Sequence, residues 1–210
     1  MKGNRRLAAV MFTDIVGYSR LIALDEDRTV NFLIDNKNSQ KQIVKKFKGV
    51  IWKDLGDGIM ASFNTIRDSI KCAEQIVAKS RKENRLNLRV GIHLCDITER
   101  EGDIYGEGVN IASRIMEKAG TNEIYISEAA YLTLCNHNFH RVEFKGRKRL
   151  KNIPEAIGVY ELIISGIRKN GQIHNGEKIV EFLKKTALLG LVLPPMIQLA
   201  TIIPVMGPLI

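Results

Sequence analysis

Two aspartates stand at the ends of apolar runs, where strands could bring their carboxylates together. Asp14 follows Leu7-Ala8-Ala9-Val10-Met11-Phe12, a run with the length and composition of a buried strand. Gly17 then allows a turn away from it. Asp57 lies in Lys53-Asp54-Leu55-Gly56-Asp57-Gly58, a tight-turn signal between the short apolar runs Val50-Ile51-Trp52 and Ile59-Met60-Ala61-Ser62-Phe63. If the turn lies beside the end of the first strand, Asp14 and Asp57 are neighbours. Neighbouring carboxylates repel and raise a pKa unless a cation neutralises them. A hard divalent ion suits such a pair. Mg²⁺ takes one or two carboxylates plus substrate phosphates, and two ions can clamp a phosphoryl displacement. Taken singly, either Asp could instead cap a helix or a turn.

The elements that must position these residues follow from the pattern. Ser19 can cap a helix, and Asp25-Glu26-Asp27 is acidic where a helix start favours it. Val30, Phe32, Leu33, Ile43, Val44 and Phe47 mark one or two amphipathic helices running to about Lys48. After the glycine hairpin, Thr65 or Asp68 starts a second helix with Ile66, Ile70, Ala73, Ile76 and Val77 on one face. Leu88 to Leu94 alternates as a fourth strand, and Glu99 to Asp103 is polar and turn-like. A helix from Gly106 carries Val109, Ile111, Ala112, Ile115 and Met116. Ile124-Tyr125-Ile126 is a strand, and Ser127 caps a short helix through Leu134. Phe139–Phe144, Arg147–Lys151 and Ile157–Ile163 read as further strands. Two paired strands between helices predict an α+β fold, an α/β sandwich built on a ferredoxin-like split βαβ (βαββαβ) core with extra C-terminal strands. No GxGxxG follows a strand and no GxxxxGK[ST] occurs, so neither a dinucleotide fold nor a P-loop is supported.

Composition narrows the class. The chain has 210 residues, 45% of them hydrophobic, enough for one ordinary domain with a core plus an appendage. The formal net charge of +9 suits anionic partners such as nucleotides, nucleic acid or an acidic membrane surface. Aromatic stacking motifs and a helix-turn-helix signal are missing, which argues against nucleic acid as a partner. Cys72, Cys95 and Cys135 lack metal-site spacing, and the first two read as reduced core residues.

Several short patterns in this order resemble the class III nucleotidyl cyclases, the adenylate and guanylate cyclase catalytic domain, over about residues 5–162. Phe-Thr-Asp-Ile-Val-Gly-Tyr-Ser at 12–19 and Lys-Asp-Leu-Gly-Asp-Gly at 53–58 match the two metal motifs. Arg89-Val90-Gly91-Ile92-His93 matches the following strand, and Asp-Ile-Tyr-Gly-Glu-Gly-Val-Asn-Ile-Ala-Ser-Arg at 103–114 matches the substrate and transition-state motif. The wording is nearest the bacterial homodimeric branch. The resemblance implies that Asp14 and Asp57 bind two Mg²⁺ or Mn²⁺ ions per site, with a backbone carbonyl from Ile15. It implies that Lys53 and Asp103 read the purine, where guanylate cyclases usually place Glu at the first position. It further implies that Asn110 orients the ribose and nucleophile and that Arg114 stabilises phosphate charge. Lys145, in Phe-Lys-Gly, falls on a further phosphate-binding Lys, with Arg147, Lys148 and Arg149 close by as alternatives. Cys95 departs from the pattern, standing where relatives often have Gly, and is expected to crowd the strand or alter dimer packing.

The residue types agree with these roles. Asn110 and Arg114 are four apart and share a helix face. Arg forks to phosphate oxygens with fixed geometry. A Lys donor and an Asp acceptor match the N1 and amino group of adenine, whereas guanine presents the opposite pattern. The implied reaction is ATP to 3′,5′-cyclic AMP and pyrophosphate, with sites shared across a head-to-tail homodimer. A guanylate cyclase, or a silent cyclase-like module that binds nucleotide and regulates, is the alternative. No Gly-Gly-Asp/Glu-Glu-Phe stretch supports a diguanylate cyclase.

The catalytic domain is expected over 1–166, a linker with a short amphipathic helix over 167–185, and an apolar tail over 186–210. The tail carries no charged residue and is long enough to cross the roughly 30 Å hydrocarbon core. Lys184 and Lys185 precede it, which sets the catalytic domain in the cytoplasm, anchored at the inner face of the cell membrane. Pro194, Pro195, Pro204 and Pro208 argue against a straight span, so a kinked or re-entrant segment, or cover for an apolar patch on the domain, are the other readings.

Overall fold

The computed structural model describes residues 3–134 and 141–164. The linker and the apolar tail lie outside the described residues, as does the strand start expected at Phe139. Among the described residues no helix is long and apolar enough to cross a membrane.

Strand β1 spans Asn4–Ile15 and is the centre of the fold. Helices α1 (Tyr18–Leu24) and α2 (Glu26–Lys46) follow, then β2 (Val50–Asp54), β3 (Ile59–Phe63), α3 (Ile66–Glu83) and β4 (Leu88–Arg100). The chain continues through β5 (Asp103–Tyr105), α4 (Glu107–Lys118), β6 (Ile124–Ser127), α5 (Glu128–Leu134), β7 (Arg141–Lys148) and β8 (Ile157–Ile163). The sheet order is β2-β3-β1-β4-β6-β8-β7, with β5 paired to β4. The first four strands therefore form the split βαβ unit expected from the sequence, and β1 is antiparallel to both its neighbours.

The continuous apolar run of β1 has a physical reason: both of its faces are covered. Ala9, Met11 and Ile15 pack with residues of α2 and α3, including Leu33, Ile43, Val44, Ile70 and Ala73. Ala8, Val10 and Phe12 pack on the other face against Val109, Ala112 and Met116 of α4. A strand buried on both faces has no polar alternation to show. Thr65 caps α3 by accepting from Asp68 N, and Asp25 caps α2 by accepting from Arg28 N.

Three boundaries differ from the sequence reading. Strand β4 runs on through residues 95–100, because 95–99 pair with β1 on one side and 98–100 with β5 on the other. The β4–β5 turn, Glu101-Gly102, has φ of 53° and 75°, the two-residue hairpin geometry that needs positive φ at both positions. The two strands expected around Gly146 form one strand, β7, whose register shifts between Phe144 and Arg147. Cys95 is half-buried under α4, and the crowding expected of it is relieved by Gly108, where a Cβ would lie 2.3 Å from Cys95 Sγ.

His93 is buried on β4, with Nδ1 2.7 Å from Ser127 Oγ. The same Ser127 oxygen accepts from Ala130 N at 3.2 Å and so caps α5. Burial lowers the imidazole pKa from 6.5 to about 4. The unfolded chain then binds this proton at a higher pH than the folded one. Stability is retained above pH 6.5 and is lost as pH falls towards 4, by up to about 1.4 kcal/mol per pH unit. Urea midpoints between pH 7 and 4.5 are expected to fall steeply, and the His93→Gln protein is expected to show a flatter acid limb over that range.

Candidate active site

The end of β1 and the β2–β3 turn meet. Gly58 packs on the backbone of β1 so closely that a Cβ there would lie 1.8 Å from the Thr13 carbonyl oxygen. Only glycine permits that approach. The turn is closed by Leu55 N donating to Gly58 O at 2.9 Å. As a result Asp57 lies beside Asp14. Burial raises the pKa of Asp14, and the neighbouring Asp57 charge raises it further. Arg89, paired with Asp14 in the β1–β4 register, opposes both effects. Its Nε and Nη2 each lie 2.6 Å from Asp14 Oδ2.

Arg89 is a partner of the candidate site that the sequence motif places only within a strand. Its partner is set by register, and register was not readable there. Arg89 Nη1 also donates to Glu117 O at 3.4 Å, which ties the carboxylate pair to the end of α4.

A second pair lies on the β2 side of the same turn. Lys53 Nζ is 2.6 Å from Asp103 Oδ2, joining β2 to β5. Asp103 Oδ1 accepts from Ile104 N at 2.8 Å, so the carboxylate is oriented by its own backbone. Each partner shifts the other: Lys53 is held above its usual pKa by its hydrogen bond to Asp103, and Asp103 below its usual pKa by Lys53. The side chains are 49% and 18% exposed, so Lys53 is open to solvent and Asp103 is largely covered.

The remaining candidates have other partners. Asn110 is exposed on α4, and Arg114, one turn on, pairs with Glu117 of its own helix. Lys145 on β7 lies 3.0 Å from Glu161 Oε2 and 3.7 Å from Glu143 Oε1. Ile15 follows Asp14 with its side chain buried in the core.

Among the described residues no group of three or more His, Cys, Asp or Glu could hold a metal ion. Two carboxylates, one of them raised by the other's charge, fit an ion that completes its shell with water and substrate phosphates. They do not fit a closed protein cage. Asp14 and Asp57 are therefore a suitable donor pair for Mg²⁺ or Mn²⁺ in the presence of a nucleotide.

Residues 3–163 match the family model described as the adenylate and guanylate cyclase catalytic domain. The chain is 31% identical over 167 residues to putative adenylate cyclase 3 of Rhizobium meliloti, covering 75% of this chain and 28% of that protein. It is 28% identical over 134 residues to an adenylate cyclase of Streptomyces griseus, covering 63% and 34%. The chain thus spans about a third of the length of these curated relatives. A solved adenylate/guanylate cyclase/hydrolase from Silicibacter pomeroyi superposes with a TM-score of 0.71 at 28% identity, over 77% of this chain and 98% of that one.

Proposed function

The chain belongs to the adenylate and guanylate cyclase catalytic domain family, and we propose that it is an adenylate cyclase converting ATP to 3′,5′-cyclic AMP and pyrophosphate. The observation that carries the choice of ATP is the Lys53–Asp103 pair, with Asp103 oriented by the hydrogen bond it accepts from Ile104 N. Lys53 donates to adenine N1, and Asp103 accepts from the adenine amino group. Guanine presents a donor at N1 and an acceptor at its six position, which would set like against like.

In the reaction, the ribose 3′ oxygen forms a bond to the α-phosphorus. The α-phosphorus bond to the bridging oxygen breaks, pyrophosphate leaves, and the hydroxyl proton passes to solvent. Asp14 and Asp57, with the Ile15 carbonyl, would hold two divalent ions, which would supply the charge that acidifies the 3′ hydroxyl and neutralises the triphosphate. Asn110 orients the ribose. Arg114 exchanges Glu117 for phosphate oxygens, and Lys145 adds positive charge beyond it. Positioning and charge neutralisation account for most catalysis in phosphoryl transfer, and no side chain is assigned as general base.

We infer a head-to-tail homodimer with two equivalent sites. Asp14, Ile15 and Asp57 come from one subunit, and Lys53, Asp103, Asn110, Arg114 and Lys145 from the other. The outward position of Asn110 supports this arrangement. Asp57→Ala and Arg114→Ala chains, each inactive alone, are expected to recover activity when mixed. Up to about half of the sites in a mixed dimer can be intact. Absence of recovery in dimers proven mixed by mass would sink the shared site.

The proposal itself is tested by incubating the full chain with ATP or GTP and Mn²⁺ and identifying the product. Cyclic AMP from ATP is the expected result. Cyclic GMP alone would overturn the purine assignment. No product from folded dimer would overturn the enzyme reading in favour of a regulatory module.

A further inference from the structure

Thr13 directly precedes Asp14 and is wholly buried. Its hydroxyl donates to Gln40 Oε1 at 2.8 Å and accepts from Ile59 N at 3.1 Å. One oxygen thus joins β1, α2 and β3 at the point where Asp14 and Asp57 meet. Gln40 is 1% exposed, and its amide nitrogen has no hydrogen-bond partner among the described residues. A buried amide left half-satisfied is unfavourable, and such groups call for an explanation beyond packing.

A second tether lies on the far side of the turn. Asp54 Oδ1 accepts from Lys37 Nζ at 2.7 Å and from Gly56 N at 3.1 Å, and Lys41 Nζ lies 3.9 Å from Oδ2. Lys37, Gln40 and Lys41 are spaced three and four apart, so they form one stripe along α2. That stripe holds the turn at both ends: Lys37 and Lys41 meet Asp54 directly before Asp57, and Gln40 reaches Ile59 after it through the Thr13 hydroxyl.

We propose that α2 is a brace for the carboxylate pair, with Thr13, Gln40 and Lys37 as positioning residues that fix the separation of Asp14 and Asp57. The inference rests on the reading of that pair as an ion site. None of the three contacts substrate or ion in that reading. Their effect is transmitted through the end of β1 and through the Asp54 clamp. Partners that orient metal ligands in this way typically change ion affinity by about 10- to 100-fold.

The test is Mn²⁺ binding to the full chain, followed by water-proton relaxation, alongside thermal unfolding. Thr13→Val keeps the shape and removes the hydroxyl, and Thr13→Ser restores it. Lys37→Met removes a half-buried charge without opening the core, and Lys37→Arg restores it. Expected is Mn²⁺ binding weakened by about tenfold or more in Thr13→Val and Lys37→Met, with binding near wild type in the Ser and Arg variants. Unchanged Mn²⁺ binding in folded Thr13→Val and Lys37→Met, where Asp57→Ala has lost it, would overturn the brace, whatever happens to the unfolding temperature. If Thr13→Val does not fold, Lys37→Met and Lys37→Arg decide alone. Wild type and Asp57→Ala binding Mn²⁺ equally would instead show the ion site itself to be wrong, and the brace would fall with it.

Discussion

Replacing Asp57 with Ala is expected to lower cyclase kcat/KM by more than about 10²-fold, since even partners one step removed from a metal ligand are worth 10- to 100-fold. The same change is expected to leave the unfolding temperature unchanged or slightly raised. Asp57 sits in a turn closed by backbone bonds and by Asp54, none of which it makes itself. Its charge also raises the pKa of Asp14. A carboxylate whose folded-state pKa is raised disfavours the folded chain at neutral pH, so removing Asp57 relieves that burden. Arg89 stays paired with Asp14 in either case. Activity and stability should therefore move in different directions, as expected where a site keeps like charges together for function. Thermal unfolding beside initial rates in Mn²⁺ checks both halves. A large fall in stability would mean that Asp57 is a structural turn residue.

The second large effect concerns the purine. Wild-type protein is expected to prefer ATP to GTP by on the order of 10²- to 10⁴-fold in kcat/KM, because two hydrogen bonds would be mismatched at once. Lys53→Glu alone should abolish this preference by loss of ATP turnover. It replaces the 2.6 Å ion pair with Asp103 by two facing carboxylates. The double variant Lys53→Glu with Asp103→Ser presents an acceptor for the guanine N1 and amino hydrogens and a donor for its oxygen. It is expected to favour GTP, moving the ratio of the two kcat/KM values by at least about 10²-fold. If the wild-type protein used both nucleotides equally, Lys53 and Asp103 would not be reading the base.

Much of this site was readable because its chemistry is local. Asp14 and Asp57 are marked by apolar runs and glycines that are continuous in sequence, and Lys53 is tied to Asp57 by the same short turn. Asn110 and Arg114 share a helix face by spacing alone. What escaped the sequence depends on register or on distant contacts. The β4–β5 arm shows no clear period, because Ile97 and Ile104 are its only core residues and β5 has only three residues. Arg89 meets Asp14 only through the pairing of β4 with β1. Thr13 meets Gln40 across 27 residues of sequence, and no spacing rule anticipates that bond. Gly146 falls between two strands expected from the sequence, yet its φ of 91° is accommodated as an irregularity within β7.

The shared turn has a genetic consequence. Lys53 and Asp57 belong to opposite sites of the inferred dimer, yet they stand on one hairpin held by one set of contacts. A lesion confined to either side chain leaves the other function of its subunit intact, so two such alleles can rescue one another. A lesion that deforms the turn itself, such as a side chain at Gly58, removes both functions at once. Such an allele would belong to both complementation groups and be rescued by neither.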